Sequence, residues 1–188
     1  MAHLYLFLLC VLSEYVEFAV NDEITWGWEY LDNSIIRFTM KCKGDGYCSI
    51  GLGNDNMYPT DMFAVTRNGN SVEIGDYWSS AHVAPSADTS RDGGVEDYTL
   101  VSGSYSNDVM TAVFDRKLDT GDKWDWEITE GEEIDYVWAW HSSNAGYDTF
   151  HNKFGSGSVT LATTQATATL KSREHDDSDA EKVFLRHG

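Results

Sequence analysis

The sequence predicts an all-β fold, an immunoglobulin-like antiparallel β-sandwich of about nine to eleven strands. Aromatic residues make up 13% of the chain and there are only 2 prolines, a composition that favours a folded β-rich body. Turn segments such as KGDG, RNGN and SGSYSND separate short apolar or alternating runs, and no amphipathic helical pattern precedes residue 164. The runs lie near residues 24–30, 34–42, 47–53, 61–67, 71–78, 96–102, 108–115, 133–140 and 157–161. Many short strands at this spacing are typical of a sandwich or a barrel.

Two of these runs meet at the glycine-rich segment KGDGY, which Cys42 and Cys48 flank. Alternation places the apolar residues of each run on one face: Ile36, Phe38, Met40 and Cys42 in the first run, and Cys48, Ile50 and Leu52 in the second. A three-residue loop at 44–46 predicts a hairpin in which the two cysteines face each other. Cysteines that face each other across neighbouring strands are close enough to form a disulfide if the geometry allows it. Two small buried thiols are the alternative.

The charge of the chain limits the classes of partner. There are 31 acidic residues against 13 basic ones, which gives a formal net charge of −18. Binding to a phosphate backbone or to anionic lipid requires the opposite sign, so we expect no nucleic acid and no peripheral membrane binding. No nucleophile, phosphate-loop, dinucleotide or zinc motif is present, so the sequence identifies no catalytic residue within this chain and leaves open whether it serves a larger oxidoreductase. Nothing in the sequence implies an oligomer.

Both ends of the chain differ from the body. An unbroken apolar run at residues 4–12 has the length of a signal-peptide core, so residues 1–19 are predicted to be a secretory signal. Cleavage after Ala19 or nearer Ser13 is left open, and a buried N-terminal strand is the alternative. Residues 20–163 form the predicted domain, and 164–182 form an acidic, threonine-rich linker. The chain then ends in VFLRHG, at 183–188.

Several motifs in the body occur in a distinctive order. They are the strand start ITWGWEY, the segment YCSIGLGNDNMYPTDMF, the pair DYWSS and PSAD, the segment FDRKLDTGD, the strand VWAW, and a late histidine before FGSGSVTL. Taken in this order, they resemble the DOMON family, the extracellular β-sandwich named after the N-terminal region of dopamine β-monooxygenase. The resemblance covers about residues 22–162. Within FDRKLDTGD, we expect Arg116 to pair with a buried carboxylate, and residues 120–122 to form a turn closed by side-chain hydrogen bonds. The D-x-[DN]-x-[DN]-G loop of calcium-binding proteins is absent, so the sequence does not predict calcium.

The resemblance implies a haem site. Some members of the family bind one haem b at the end of the sandwich between a methionine and a histidine, and others have lost it. The matching ligands here are Met57 and His151, with Met62 and His141 as fallback ligands. Aromatic residues close to them in the sequence are expected to wall the haem: Tyr58, Phe63, Trp138, Trp140 and Phe150. A haem held by thioether and imidazole has no open position, which suits electron transfer rather than oxygen activation.

Two functions are compatible with this resemblance. The first is a secreted or lumenal haem-b electron-transfer domain. After a linker, VFLRHG is similar to the opening of the transmembrane b-type cytochrome that follows DOMON domains in ferric-chelate-reductase-like proteins. That cytochrome would be the redox partner, and it would tether the domain to the membrane. The second is a haem-less recognition module whose aromatic cleft binds carbohydrate or an extracellular protein.

Overall fold

A computed structural model describes residues 14–163 together with the pair 175–176. The predictions for residues 1–13, for the linker at 164–182 apart from that pair, and for 183–188 therefore lie outside the described residues. Eleven strands lie between residues 14 and 163: β1 (Val16–Ala19), β2 (Ile24–Tyr30), β3 (Ile35–Lys43), β4 (Tyr47–Leu52), β5 (Thr60–Asn68), β6 (Ser71–Ser79), β7 (Ser86–Ala87), β8 (Thr99–Ser106), β9 (Val109–Lys117), β10 (Glu133–His141) and β11 (Lys153–Thr160). A short 3₁₀ turn, Asp88–Ser90, follows β7, and β12 (His175–Asp176) pairs with β11. Each of the nine predicted runs overlaps a strand.

The strands form two antiparallel sheets, which confirms the predicted sandwich. The five-stranded sheet has the order β1-β2-β3-β9-β8. The six-stranded sheet has the order β11-β10-β4-β5-β6-β7, and the two-residue β12 lies beside β11 at its edge. The first strand, Val16–Ala19, pairs with Thr25–Trp28 of β2, although the sequence placed these residues in the leader. The sandwich of the structure therefore begins four residues before the predicted start at residue 20. The described part of the chain has no helix suited to crossing a bilayer.

The core between the sheets is rich in aromatic rings. Trp26 and Phe38 of the five-stranded sheet pack against Phe63 of β5, with ring centroids 6.1 and 5.7 Å from it. The ring centroid of Tyr136 on β10 lies 6.0 Å from that of Trp26. The predicted faces of β3 and β4 are confirmed, because every apolar residue assigned to them is buried. Alternation along each strand leaves the other face of the six-stranded sheet pointing away from this core.

The disulfide between Cys42 and Cys48 is confirmed, but the hairpin that was expected to carry it is wrong. Cys42 lies in β3 of the five-stranded sheet, and Cys48 lies in β4 of the other sheet. The backbone amide of Gly44 donates to Asp108 beside the first sheet, and that of Asp45 donates to Ser142 beside the second. The glycine-rich segment is thus a corner between sheets, and the disulfide joins the two halves of the sandwich.

Removing this bond is expected to destabilise the domain. Replacing Cys42 and Cys48 with alanine should lower the free energy of unfolding by about 2–3 kcal/mol, because the unfolded chain regains the entropy of an open loop. Urea denaturation of the oxidised protein and the double variant measures the difference. Reduction of the wild-type protein should reproduce the loss, and reductant should leave the double variant unchanged. Equal stability of the oxidised protein and the variant would contradict this account.

Candidate functional site

A cavity of about 1270 Å³ lies over the outer face of the six-stranded sheet. Its volume is above the range of about 300–1,000 Å³ typical of small-molecule pockets, so it has room for a large planar group. The floor consists mainly of small outward side chains of β4, β10 and β11: Ser49, Val137, Ala139, Ser156 and Ser158. The walls come from three loops, which join β4 to β5, β6 to β7, and β10 to β11.

The loops that carry the two predicted ligands start at opposite ends of the sheet. In the antiparallel pair of β4 and β10, Leu52 lies beside Tyr136, and Tyr47 lies beside His141. The loop with Met57 therefore leaves one end and the loop with His151 leaves the other, yet both residues line the same cavity. The sequence placed the site in loops at one end of the sandwich. The structure instead puts the cavity on a sheet face, with the two residues approaching it from opposite ends.

The environments of the two methionines differ. Met57 is half-buried in the β4–β5 loop and lines the cavity. Met62, the fallback, also lines it, but it is a buried residue of β5 whose sulfur accepts a 3.5 Å contact from the Tyr147 hydroxyl. A sulfur that is buried and already accepts a hydrogen bond is a poorer ligand than one on a loop. The structure therefore favours Met57.

The two histidines differ in the same way. His151 lines the cavity, and its imidazole lies against Phe150 and Phe154 at centroid distances of 4.5 and 4.6 Å. His141 is not among the residues that line the cavity. Its Nδ1 accepts hydrogen bonds from the backbone amides of Ser143 and Asn144, at 3.3 and 3.0 Å. That nitrogen has a structural task in the loop, so His151 is the better candidate.

The predicted aromatic wall is only partly at the cavity. Phe150 lines it and is 66% exposed, and Trp138 borders it although its side chain belongs to the core. Phe63 is fully buried on the opposite face of β5, because it alternates with Met62. Trp140 packs at the edge of the core and donates its Nε1–H to Lys43. Tyr58 is exposed and lies outside the lining residues.

Three residues at the cavity were not singled out in the sequence. His82 lines the cavity, with its ring 4.7 Å from that of Tyr58. Phe154 lies on the outward face of β11. Tyr147 packs its ring 5.2 Å from Tyr47 and 4.5 Å from Tyr77. Alternation along β11 was the available signal for Phe154, whereas His82 and Tyr147 reach the cavity only through the course of their loops.

The electrostatics of the cavity favour a neutral interior with an acidic edge. Burial raises the pKa of the Tyr147 and Tyr47 hydroxyls above the usual range, so both stay protonated at neutral pH. Four carboxylates also border the cavity: Asp55, Glu133, Asp135 and Asp148. Protonated phenols, small floor residues and aromatic rings suit a hydrophobic planar ligand, and the acidic edge suits contact with a basic partner.

The family model described as DOMON domain matches residues 20–141, more than half of the chain. The chain belongs to the DOMON family. This DOMON domain is similar in structure to the cytochrome domain of Myriococcum thermophilum cellobiose dehydrogenase, with a TM-score of 0.61 and 17% identity over 79% of this chain and 82% of that one. It is also similar to the cytochrome b domain of pyranose dehydrogenase from Coprinopsis cinerea, with a TM-score of 0.56 and 14% identity over 73% and 76% of the two chains. At these identities the likeness shows a shared fold. No curated protein sequence matches the chain.

The side chains at the cavity of this DOMON domain fit a haem. A thioether and an imidazole reach one cavity from opposite ends of the sheet, over a floor of small residues. If a haem is bound, Met57 and His151 would hold its iron, and Phe150 and Phe154 would line its apolar surroundings. Such a haem supplies one-electron redox chemistry without an open coordination position. The protein's own contribution would be to hold the two donors and to surround the group with small and aromatic side chains.

Proposed function

We propose that this protein is an extracellular or lumenal haem-b-binding domain that transfers single electrons. The observation that carries the proposal is the convergence of Met57 and His151 on one cavity, from loops at opposite ends of a sheet. The similarity to two cytochrome domains supports it. A methionine ligand raises the reduction potential of a haem, which would make this domain an electron acceptor from a lower-potential donor.

The donor or acceptor in this proposal is a transmembrane b-type cytochrome. Support for it comes from the sequence, in which a linker at 164–182 precedes VFLRHG. The acidic edge of the cavity, with Asp55 and Asp148, would attract a basic surface on that partner and raise the rate of encounter. In this arrangement, the domain would carry electrons between the membrane and an external acceptor such as a ferric chelate.

An absorption spectrum tests haem binding directly. We expect protein produced with ample haem to be coloured, and its reduced form to show the sharp bands of a low-spin six-coordinate haem. Met57→Ala and His151→Ala should each lose those bands, because each removes one axial ligand. Near-ultraviolet circular dichroism of each variant reports whether the sandwich remains folded.

Three matched variants separate ligands from neighbours. Met62→Leu, His141→Gln and His82→Ala should keep the low-spin bands, since the proposal assigns none of them to the iron. Loss of the bands in His141→Gln but not in His151→Ala would transfer the ligand role to the fallback histidine. Wild-type protein that stays colourless with haem supplied would overturn the proposal and leave the haem-less recognition module.

A further inference from the structure

A group of buried carboxylates lies on the core face of the six-stranded sheet, whereas the cavity lies over its outer face. Asp61 and Asp76 lie on the core face of β5 and β6, and Asp125 comes from the connection between β9 and β10. One carboxylate oxygen from each residue lies within 4.8 Å of the other two. The three side chains are almost completely excluded from solvent. Three acids packed this closely repel one another unless a positive charge is present.

Arg116 is the cation that contacts this group. Its Nη2 lies 3.1 Å from Asp61 and 3.4 Å from Asp125, which confirms the expected pairing of this arginine with a buried carboxylate. Its Nη1 donates to the backbone carbonyl of Trp126 at 2.8 Å. One guanidinium offsets one carboxylate in formal charge. Among the described residues, the three ionised carboxylates together with Arg116 would therefore keep a formal charge of about −2, and Asp76 has no ion pair with the arginine.

Unsatisfied oxygens provide a second, independent observation. Among the described residues, Asp61 Oδ1, Asp76 Oδ1 and both carboxylate oxygens of Asp125 have no hydrogen-bond donor. Buried oxygens without donors are costly unless another partner satisfies them.

We propose that Asp61, Asp76 and Asp125 bind one calcium ion. Ca²⁺ takes six to eight oxygen ligands, binds carboxylates through one or both oxygens, and tolerates irregular geometry. Mg²⁺ needs near-ideal octahedral geometry and retains several waters, which suits a closed, irregular group of carboxylates less well. Softer metals prefer nitrogen or sulfur ligands, and the three side chains offer neither.

The position of the site gives the ion a structural role. Asp61 lies at the start of β5, directly after the loop that carries Met57. Asp76 lies in β6, shortly before the loop between β6 and β7 that carries His82. A bound ion would join the bases of two cavity loops to the β9–β10 connection. The inference does not depend on haem, because the ion binds folded protein whether or not a haem is present.

Calcium titration of chelator-treated protein tests the site. At physiological ionic strength, isothermal titration calorimetry should show one bound Ca²⁺ per chain. The midpoint temperature of thermal unfolding should rise by about 5–10 °C when the free calcium concentration is about 100 times the dissociation constant, because the ion binds the folded state only. Wild-type protein that shows neither heat nor a thermal shift with millimolar calcium would overturn the proposal.

Isosteric variants show whether the response belongs to this site. In the wild type, the backbone amide of Asp97 donates a hydrogen bond to the Asp76 carboxylate at 3.0 Å. Asp76→Asn keeps the shape of the side chain and an oxygen that can accept this bond, but it removes a charged ligand. In chelator it should be at least as stable as the wild type, and it should lose the calcium response. Asp125→Asn provides a second variant of the same kind. Asp92→Asn, at a fully exposed side chain, should respond like the wild type. An unchanged response in both buried variants, or an equal loss in Asp92→Asn, would assign the effect to general charge screening and overturn the proposal.

Discussion

Replacing Arg116 with methionine is expected to lower the free energy of unfolding by about 3–5 kcal/mol, measured in the presence of a chelator. Arg116 is 1% exposed and extends from β9 of the five-stranded sheet to Asp61 on β5 of the other sheet. Methionine keeps much of the aliphatic volume, so the loss would come from the missing charge and hydrogen bonds rather than from a cavity. The variant leaves buried carboxylates with no cation in contact.

The effect of this substitution should depend on pH. Burial raises the pKa of Asp61 to about 7, and the charge of Arg116 opposes that rise. Without Arg116 the pKa of Asp61 in the folded state should be higher still, whereas its pKa in the unfolded chain remains near the reference of about 3.9. Between the unfolded and the folded pKa of Asp61, the folded state holds a proton that the unfolded chain has lost. The folded protein therefore loses stability as the pH rises through this interval. The deficit of the variant should therefore be larger at pH 8 than at pH 5.

Urea denaturation at the two pH values, with Arg37→Met as the matched control, measures both effects. Arg37 pairs with Asp115 at 2.7 Å, but both side chains are more than a quarter exposed. Its loss should cost no more than about 1 kcal/mol, because water screens exposed pairs. Equal costs for the two arginines would show that the buried acids at Arg116 are neutral or otherwise compensated.

Strand positions were predictable because alternation is a local property of the chain. Ile36, Phe38 and Met40 identify the buried face of β3 without any knowledge of its partners. The hairpin predicted at Cys42 was wrong because the pairing of strands is not a local property of the chain. A glycine-rich turn with facing residues is compatible with a hairpin or with a corner between sheets. Only the backbone hydrogen bonds of Gly44 and Asp45 to two different sheets decide between them.

The family resemblance supplied the two candidate ligands, whereas residues that only the folded chain brings together could not be predicted. Resemblance indicated Met57 and His151, and the structure brings both to one cavity. Phe63 was expected beside Met57 because it is near in sequence, but the parity of β5 directs it into the core. The acids of the calcium proposal come from separate segments of the chain. No local pattern relates Asp61 to Asp125, so only the folded chain shows them together.

Replacing Trp26 with alanine is expected to lower the free energy of unfolding by about 3–5 kcal/mol, because the surrounding core can only partly close around the lost indole. Trp26 is fully buried, and it packs against Phe63 and Tyr136 of the opposite sheet as well as Phe38 of its own. Its ring therefore joins the two layers at their centre. A cavity here would loosen contacts on both sheets.

Trp26→Phe separates packing from hydrogen bonding at this position. The indole N–H of Trp26 has no acceptor among the described residues, so phenylalanine removes a buried donor without breaking a bond. We expect a cost well below that of alanine, because an aromatic ring remains between the sheets and only part of the volume is lost. Val95→Ala, at an exposed side chain, should stay within about 0.5 kcal/mol of the wild type. Guanidinium denaturation of the three variants gives the comparison. If phenylalanine cost as much as alanine, the indole nitrogen would have a partner that the packing of Trp26 does not reveal, and the core would depend on that bond rather than on filled volume.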